Sequence, residues 1–130
     1  MNMKIFTFSI AFLAIFVSGC TGLSSNLRIG NDQSYASLTD QREAIKNVGE
    51  YTTVPSGAKI LGEVDAGRCH RIQGAVEPSE GLVKSDLKVT AYAQGADGIS
   101  DITFTKQAAL TLNCWYIITG KAMMFSLQKP

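Results

Sequence analysis

The sequence has few of the residues on which catalysis and metal binding commonly depend. It contains one histidine, His70, one tryptophan and three cysteines in 130 residues. Nucleophilic catalysis needs a base within reach of an activated serine, cysteine or threonine, and the chain has no GxSxG, P-loop or HExxH pattern. The carboxylates of Asp97 and Asp101 come nearest to an acid–base pair, but this spacing favours a helix exit that faces solvent. We therefore expect neither an enzyme nor a cofactor site.

A long apolar run is also missing, apart from one at the amino terminus that is too short to cross a bilayer. Residues 5–17 carry no charge and follow Lys4. As a helix they reach ~20 Å at about 1.5 Å per residue, whereas the hydrocarbon core is ~30 Å thick. A charged residue followed by a short apolar stretch is typical of a cleaved signal sequence, which we place at residues 1–19.

The leader ends in Val17-Ser18-Gly19-Cys20, which resembles the lipobox of bacterial lipoproteins. In that motif the cysteine receives a diacylglyceryl group before cleavage and an amine-linked acyl chain after it. The resemblance implies that Cys20 is a lipidation site whose acyl chains anchor the protein to a membrane. The alternative is a plain secretory signal in which this cysteine has no role. Thr21 and Gly22, with no aspartate in the second position, resemble the outer-membrane sorting signal of enterobacteria.

An excess of charge of one sign is absent. The chain has 12 basic and 11 acidic residues, a net charge of +1. Loss of Lys4 with the leader removes that excess, and no block of like charge occurs elsewhere in the sequence. Nucleic-acid binding depends on clustered basic residues that neutralise phosphates. We therefore expect no nucleic-acid partner.

Cys69 and Cys114 are the two cysteines that remain after Cys20. An exported chain matures in an oxidising compartment, and two thiols suffice for one bridge, which we predict. Closing a loop of about 45 residues would contribute ~4 kcal/mol to stability. Two alternatives stay open, a pair of free thiols and a metal site that also uses His70. The metal site is the weaker of these, because adjacent Cys69 and His70 bind one ion poorly and no CxxC pair is present.

The polar segment 21–40 lacks an apolar period and predicts a flexible tether. We therefore place a lipidated tether at residues 20–46 and a folded domain at residues 47–130. A short helix is predicted over residues 40–48, with Asp40 as its N-cap.

A turn at Pro55-Ser56-Gly57 leads into the first predicted strand, residues 58–64. Gly62 inside this strand indicates a bulge or a close approach of another element. A loop over residues 65–78 is then expected to carry Cys69.

The segment between Ser79 and Gly95 predicts a helix, although part of it also fits a strand. Apolar residues four positions apart line one helix face: Val83, Leu87 and Ala91. Residues 87–93 also alternate as a strand would. Gly95 stands where helices commonly stop, and this favours the helix.

Strands are predicted over residues 99–105 and 110–127. The second is either one strand buried on both faces or a hairpin that turns near Gly120. Within it, Trp115 and Tyr116 are expected to face opposite ways, one of them into the core, with a contact surface as the alternative role. A strand, a helix and a strand in this order imply a right-handed parallel crossover. The expected fold is a small single α/β (α+β) domain, with a further strand or hairpin after the crossover and one disulfide.

Several motifs occur in a fixed order: Ile60-Leu61-Gly62-Glu63-Val64 ahead of Cys69, Gly95-Ala96-Asp97 after a helix, and Gly120-Lys121-Ala122 after Cys114. Together with the lipobox they resemble the RcsF-type stress-sensor lipoproteins, whose periplasmic domain is matched over residues 47–127. The Gly-Ala-Asp pattern is also similar to YbjQ-type small oligomeric domains. RcsF-type domains carry two disulfides and a long proline-rich linker, whereas this chain has cysteines for one bridge and no proline before Pro55.

The RcsF resemblance implies a lipoprotein of a Gram-negative bacterium, anchored in the outer membrane with its domain facing the periplasm. It implies a non-catalytic role in the envelope stress response, with signal transduction through protein partners. Those partners would be an inner-membrane signalling protein or an outer-membrane barrel. The YbjQ resemblance implies the alternative of a structural or ligand-binding envelope lipoprotein that oligomerises.

Overall fold

The computed structural model describes residues 26–29 and 36–128. Residues 1–19, which are predicted to be a signal sequence, and Cys20 lie outside these residues, so what is predicted for them stays a prediction. The elements in chain order are β1 (Asn26–Ile29), α1 (Leu38–Asn47), β2 (Gly49–Glu50), β3 (Lys59–His70), α2 (Glu80–Ala93), β4 (Gly98–Ala109), a 3₁₀ turn (Leu110–Leu112) and β5 (Cys114–Ser126).

The strands form one mixed sheet in the order β1-β3-β5-β4-β2. The central strand β5 is antiparallel to both β3 and β4, so these two run parallel to each other, and β2 is parallel to β4. α2 connects β3 to β4, which makes the predicted strand-helix-strand crossover. The predicted single α+β domain is therefore confirmed, and its main core lies between α2 and one face of the sheet.

α2 confirms the helix predicted between Ser79 and Gly95. Ser79 is the N-cap, and its Oγ accepts a hydrogen bond from the Leu82 N–H at 3.3 Å. Gly95 adopts a φ of +78° just after the last turn. The fully buried row against the sheet comprises Val83, Leu87 and Ala91. This burial has the period of a helix, which decides against a strand over residues 87–93.

α1 begins earlier than predicted, because its N-cap is Ser37 and not Asp40. The Ser37 Oγ accepts from the Asp40 N–H at 3.1 Å and donates to the Asp40 carboxylate at 2.7 Å, an arrangement related to the capping box. Ala44 and Val48 are buried against the rest of the domain. β1 and α1 thus belong to the fold although both begin before residue 47, so the folded part starts earlier than predicted.

β3 is longer than predicted and includes the first six residues of the segment 65–78, which was expected to be a loop. The strand continues to His70, and only residues 71–79 connect it to α2. Charged residues such as Arg68 obscure the strand pattern in the sequence, whereas in the fold Arg68 is neutralised by a carboxylate from α2. A register shift between Ile60 and Gly62 confirms the predicted bulge.

β5 is a single strand that passes through Gly120 without turning. The chain reverses earlier, at the 3₁₀ turn Leu110–Leu112, where Asn113 takes a positive φ of 56°. Gly120 instead allows close packing of α2, because a Cβ there would lie 2.8 Å from Val83 Cγ1. Of the two predicted alternatives, strand or hairpin, the strand is confirmed, although it begins after this turn.

Gly120→Ala is expected to lower the free energy of unfolding by about 1–3 kcal/mol, because the added methyl group overpacks the contact between β5 and α2. Chemical denaturation followed by circular dichroism measures the change. Gly81→Ala is the control: Gly81 is exposed near the start of α2, and alanine there is expected to stabilise by up to ~1 kcal/mol. Equal stability of Gly120→Ala and the wild type would contradict the packing role of Gly120.

Candidate functional site

One disulfide, Cys69–Cys114, ties the end of β3 to the start of β5. The two Cα atoms are 5.6 Å apart, and the bridge packs with Ala109 and Ile117 in a small buried cluster. Cys69 lies opposite Ile117 in the ladder, on the face of the sheet away from α2. The predicted bridge is confirmed, and because it uses both thiols, neither a free pair nor a metal site with His70 forms. We call this end of the sheet the disulfide end.

The 3₁₀ turn and the start of β5 expose three apolar side chains at the disulfide end. The exposed fractions are 70% for Leu110, 57% for Leu112 and 53% for Trp115, and we call these three residues the turn patch. Arg71, an exposed cation, donates from Nε to the Asn113 carbonyl at 3.3 Å and so lies beside them. Clustered apolar groups on a surface commonly mark a contact with a partner or a membrane.

Tyr116 points to the other side of β5 and packs against the main core. Its ring stacks on His70 with centroids 5.0 Å apart, and Lys106 Nζ lies 3.7 Å from its centroid. Its hydroxyl donates to Glu77 Oε2 at 2.6 Å. The prediction that Trp115 and Tyr116 face opposite ways, one of them into the core, is confirmed. These contacts hold the loop that precedes α2 onto β5.

The hydrogen bond between Tyr116 and Glu77 accompanies shifts in both pKa values. Burial, followed by the bond to Glu77, raises the pKa of Tyr116 to about 12. The same bond lowers the pKa of Glu77. At neutral pH the phenol therefore keeps its proton and the carboxylate stays ionised, so the contact is intact.

Glu77→Gln is expected to move the pKa of Tyr116 only part of the way from about 12 back to 10.0, because burial, the larger cause, persists. Difference absorbance titration against Tyr116→Phe, which removes this phenol from the signal, measures that pKa.

Because folding raises the pKa of Tyr116, the contact's contribution to stability is expected at lower pH and is lost as pH rises from 10.0 to about 12. The contribution of the ionised Glu77 carboxylate to stability is lost as pH falls through the lowered pKa of Glu77. A Tyr116 titration near its ordinary value in the wild type would contradict the contact.

A buried carboxylate, Asp86 on α2, joins several elements of the fold. It forms ion pairs with Arg28 on β1 and Arg68 on β3. Arg28 Nε and Arg68 Nη2 each lie 2.9 Å from Asp86 Oδ1, and Arg28 Nη2 also donates to Gln41 on α1 at 3.3 Å. Sequence reasoning missed this cluster. The only signal was an acidic residue three positions after Val83 on the buried face of α2.

Asp97 and Asp101 are held by separate partners instead of acting as a carboxylate pair. Asp97 Oδ2 accepts from the Leu127 N–H at 2.8 Å, and the Asp97 N–H donates to the Phe125 carbonyl at 3.0 Å. Asp101 lies at a strand irregularity with a φ of 52° and accepts from Ser100 Oγ at 2.8 Å. Asp97 therefore binds the chain at the end of β5, and Asp101 is exposed.

The outer edge of β4 is uncovered over most of its length. β2 pairs only with Gly98 and Ile99, and no other strand among the residues that the structure describes lies beside β4 on that side. We call residues 101–108 the open β4 edge. A strand irregularity and the charge of Lys106 are features that limit aggregation at such edges. The outer edge of β3 is partly covered by β1 and broken by its bulge, so residues 103–108 of β4 form the longer uninterrupted open edge.

No family model and no curated protein matches the chain. In the part of the chain that the structure describes, no helix is long and apolar enough to cross a bilayer. The candidate functional surfaces are therefore those given by geometry, the turn patch and the open β4 edge.

Proposed function

We propose that the protein is a lipid-anchored envelope lipoprotein whose domain works without catalysis, as a sensor or protein-interaction module of the RcsF type. Cys20 would carry the acyl chains in the outer membrane, and the domain would face the periplasm. The leader, the lipobox and the motifs of residues 47–127 support this assignment. The Cys69–Cys114 bridge supports it too, since disulfides persist in oxidising compartments such as the periplasm.

The open β4 edge is the observation that carries the interaction role. Backbone N–H and C=O groups along such an edge can receive a further strand, and strand addition is a common mode of peptide recognition. Exposed side chains along it, including Thr103 and Thr105, would contact alternate positions of the added segment. The partner is an extended segment of an envelope protein. By the resemblance, this is an inner-membrane signalling protein or the periplasmic part of an outer-membrane barrel.

A second copy of the chain is the alternative partner for the same edge. Two β4 edges related by a two-fold axis would pair as antiparallel strands, which is an isologous contact. Such pairing would fit a structural envelope lipoprotein that oligomerises, as the YbjQ resemblance implies.

Crosslinking in living cells distinguishes these partners. A photoreactive phenylalanine analogue replaces Thr103 or Thr105 on the open β4 edge, and in the control it replaces Tyr92, an exposed aromatic residue on α2. The two edge positions are expected to capture one envelope protein that the Tyr92 position does not capture. Capture of a second copy would favour the oligomer instead. Capture from Tyr92 with none from either edge position would contradict the role of this edge.

A further inference from the structure

β1 enters the sheet at the disulfide end. Its first residue, Asn26, pairs with His70, next to the bridge. The 3₁₀ turn joins β4 to β5 at the same end, where Ala109 pairs with Cys114. The chain therefore runs from Cys20 to the end of the domain that exposes the turn patch.

The length of the intervening chain keeps this end close to the anchor. Asn26 follows Cys20 by six residues, and an extended chain of that length spans at most ~20 Å. β5 has 13 residues, which makes the sheet roughly 40 Å long at this strand. A lipid on Cys20 would therefore hold the disulfide end near the bilayer, while the opposite end is free to lie much farther away.

The turn patch has the composition of a membrane-interface contact. Tryptophan is enriched at the level of the lipid headgroups, and leucine side chains insert at the boundary with the acyl chains. Arg71 beside the turn adds a cation that suits lipid phosphates. The nearby Glu77 carboxylate is already engaged by the Tyr116 hydroxyl.

We propose that the turn patch docks into the phospholipid headgroup region of the bilayer that holds Cys20, an inference that rests on the proposed lipid anchor. The domain is then attached to the bilayer by the lipid on Cys20 and by the turn patch. Because the lipid already holds the domain at the bilayer, the turn patch meets the headgroups at a high effective concentration. Docking gives the domain one orientation, with Ile60 and Leu61 at the far end of the sheet. The open β4 edge runs away from the membrane surface and is presented to the periplasm.

Trp115 reports this docking directly, because it is the only tryptophan in the sequence. The processed protein, purified from membranes with its lipid, is reconstituted into vesicles of phosphatidylethanolamine and phosphatidylglycerol, with or without bromine on the acyl chains. We expect the emission of Trp115 to shift to shorter wavelength and to be quenched roughly twofold by the brominated lipid, as for a side chain at the interface. Flotation of the vesicles measures the anchor separately.

A double variant, Leu110→Gln with Leu112→Gln, removes most of the apolar patch from an exposed turn. It is expected to float with the vesicles as the wild type does, but to lose the wavelength shift and most of the quenching. Ile60→Gln is the matched control, because Ile60 is 58% exposed, much like Leu112, and lies at the far end of the sheet. The control is expected to keep the quenching of the wild type. Unchanged thermal midpoints verify that both variants fold.

Three results would overturn the docking proposal. Protein that floats with the vesicles while Trp115 stays unquenched would leave the anchor intact and exclude docking. The emission of Trp115 could instead shift to shorter wavelength without quenching by bromine, while crosslinking captures dimers. That result would assign the turn patch to a contact with a second copy of the chain. Protein that does not float would remove both the anchor and the docking.

Discussion

Replacing both bridge cysteines, Cys69→Ala with Cys114→Ala, is expected to lower the free energy of unfolding by about 4 kcal/mol. The bridge spans a sequence separation of 45 residues, and loss of the loop constraint from the unfolded chain accounts for this magnitude. A small domain has a total stability of about 5–15 kcal/mol. The double variant is therefore expected to lose a large share of its stability, which urea denaturation followed by circular dichroism measures.

Reduction provides the control for the bridge. A reductant is expected to bring the wild type close to the stability of the double variant and to leave the double variant unchanged. Cys69 and Cys114 are almost fully buried, so alanine is preferred to serine, which would bury an unsatisfied hydroxyl. Equal stability of the oxidised wild type and the double variant would contradict a stabilising bridge.

Asp86→Ala is expected to lower the free energy of unfolding by about 3–5 kcal/mol. This is the range for removing one partner of a buried ion pair, because the other charge is left uncompensated. The Asp86 side chain is 8% exposed, as against 14% for Arg68 and 31% for Arg28. The substitution removes the carboxylate that neutralises Arg68 in a poorly hydrated site. It also removes the ion pair that fastens β1 to α2 through Arg28. Urea denaturation measures the loss.

Glu50→Ala is the matched control for Asp86. Glu50 is also a carboxylate between two cations, with Lys84 and Lys88 each at 2.9 Å, but it is 39% exposed. Exposed ion pairs contribute below about 1 kcal/mol. Asp86→Leu combined with Arg68→Met is expected to recover much of the loss, because apolar residues commonly replace a buried pair at little cost. A loss for Asp86→Ala no larger than that for Glu50→Ala would contradict the importance of burial.

α2 was predictable because all of its signals are local. The Ser79 cap, the apolar row that includes Val83 and Leu87, and the stop at Gly95 all lie within the helix or beside it. β3 beyond Val64 was not predictable in this way. Its strand pattern is interrupted by Arg68, and the carboxylate that neutralises Arg68 comes from another element, which a local pattern does not reveal.

Gly120 shows why one residue type can mislead. Glycine suits a turn, and it also suits a place where another element comes close, so its sequence context fits both uses. Only the position of α2 over β5 separates them, and the turn is instead made at Leu110–Leu112. β1 was missed for a similar reason, since its pairing with β3 and the ion pair of Arg28 depend on tertiary contacts.

The candidate sites were predictable to different degrees. The Cys69–Cys114 bridge was predicted from the number of cysteines and from the oxidising compartment that the leader predicts. Trp115 was expected to face away from Tyr116, but the leucines beside it become a surface only because the 3₁₀ turn exposes them. The open β4 edge depends on the shortness of β2 and on strand order, which are properties of the assembled sheet.

The intact mass of the protein extracted from membranes tests the lipid anchor most directly. The wild type is predicted to begin at Cys20 and to carry a diacylglyceryl group and an amine-linked acyl chain, and Cys20→Ala is predicted to lack both modifications. Full-length protein found in the cytosol, with its leader intact and all three cysteines reduced, would contradict the proposed anchor and the proposed function together.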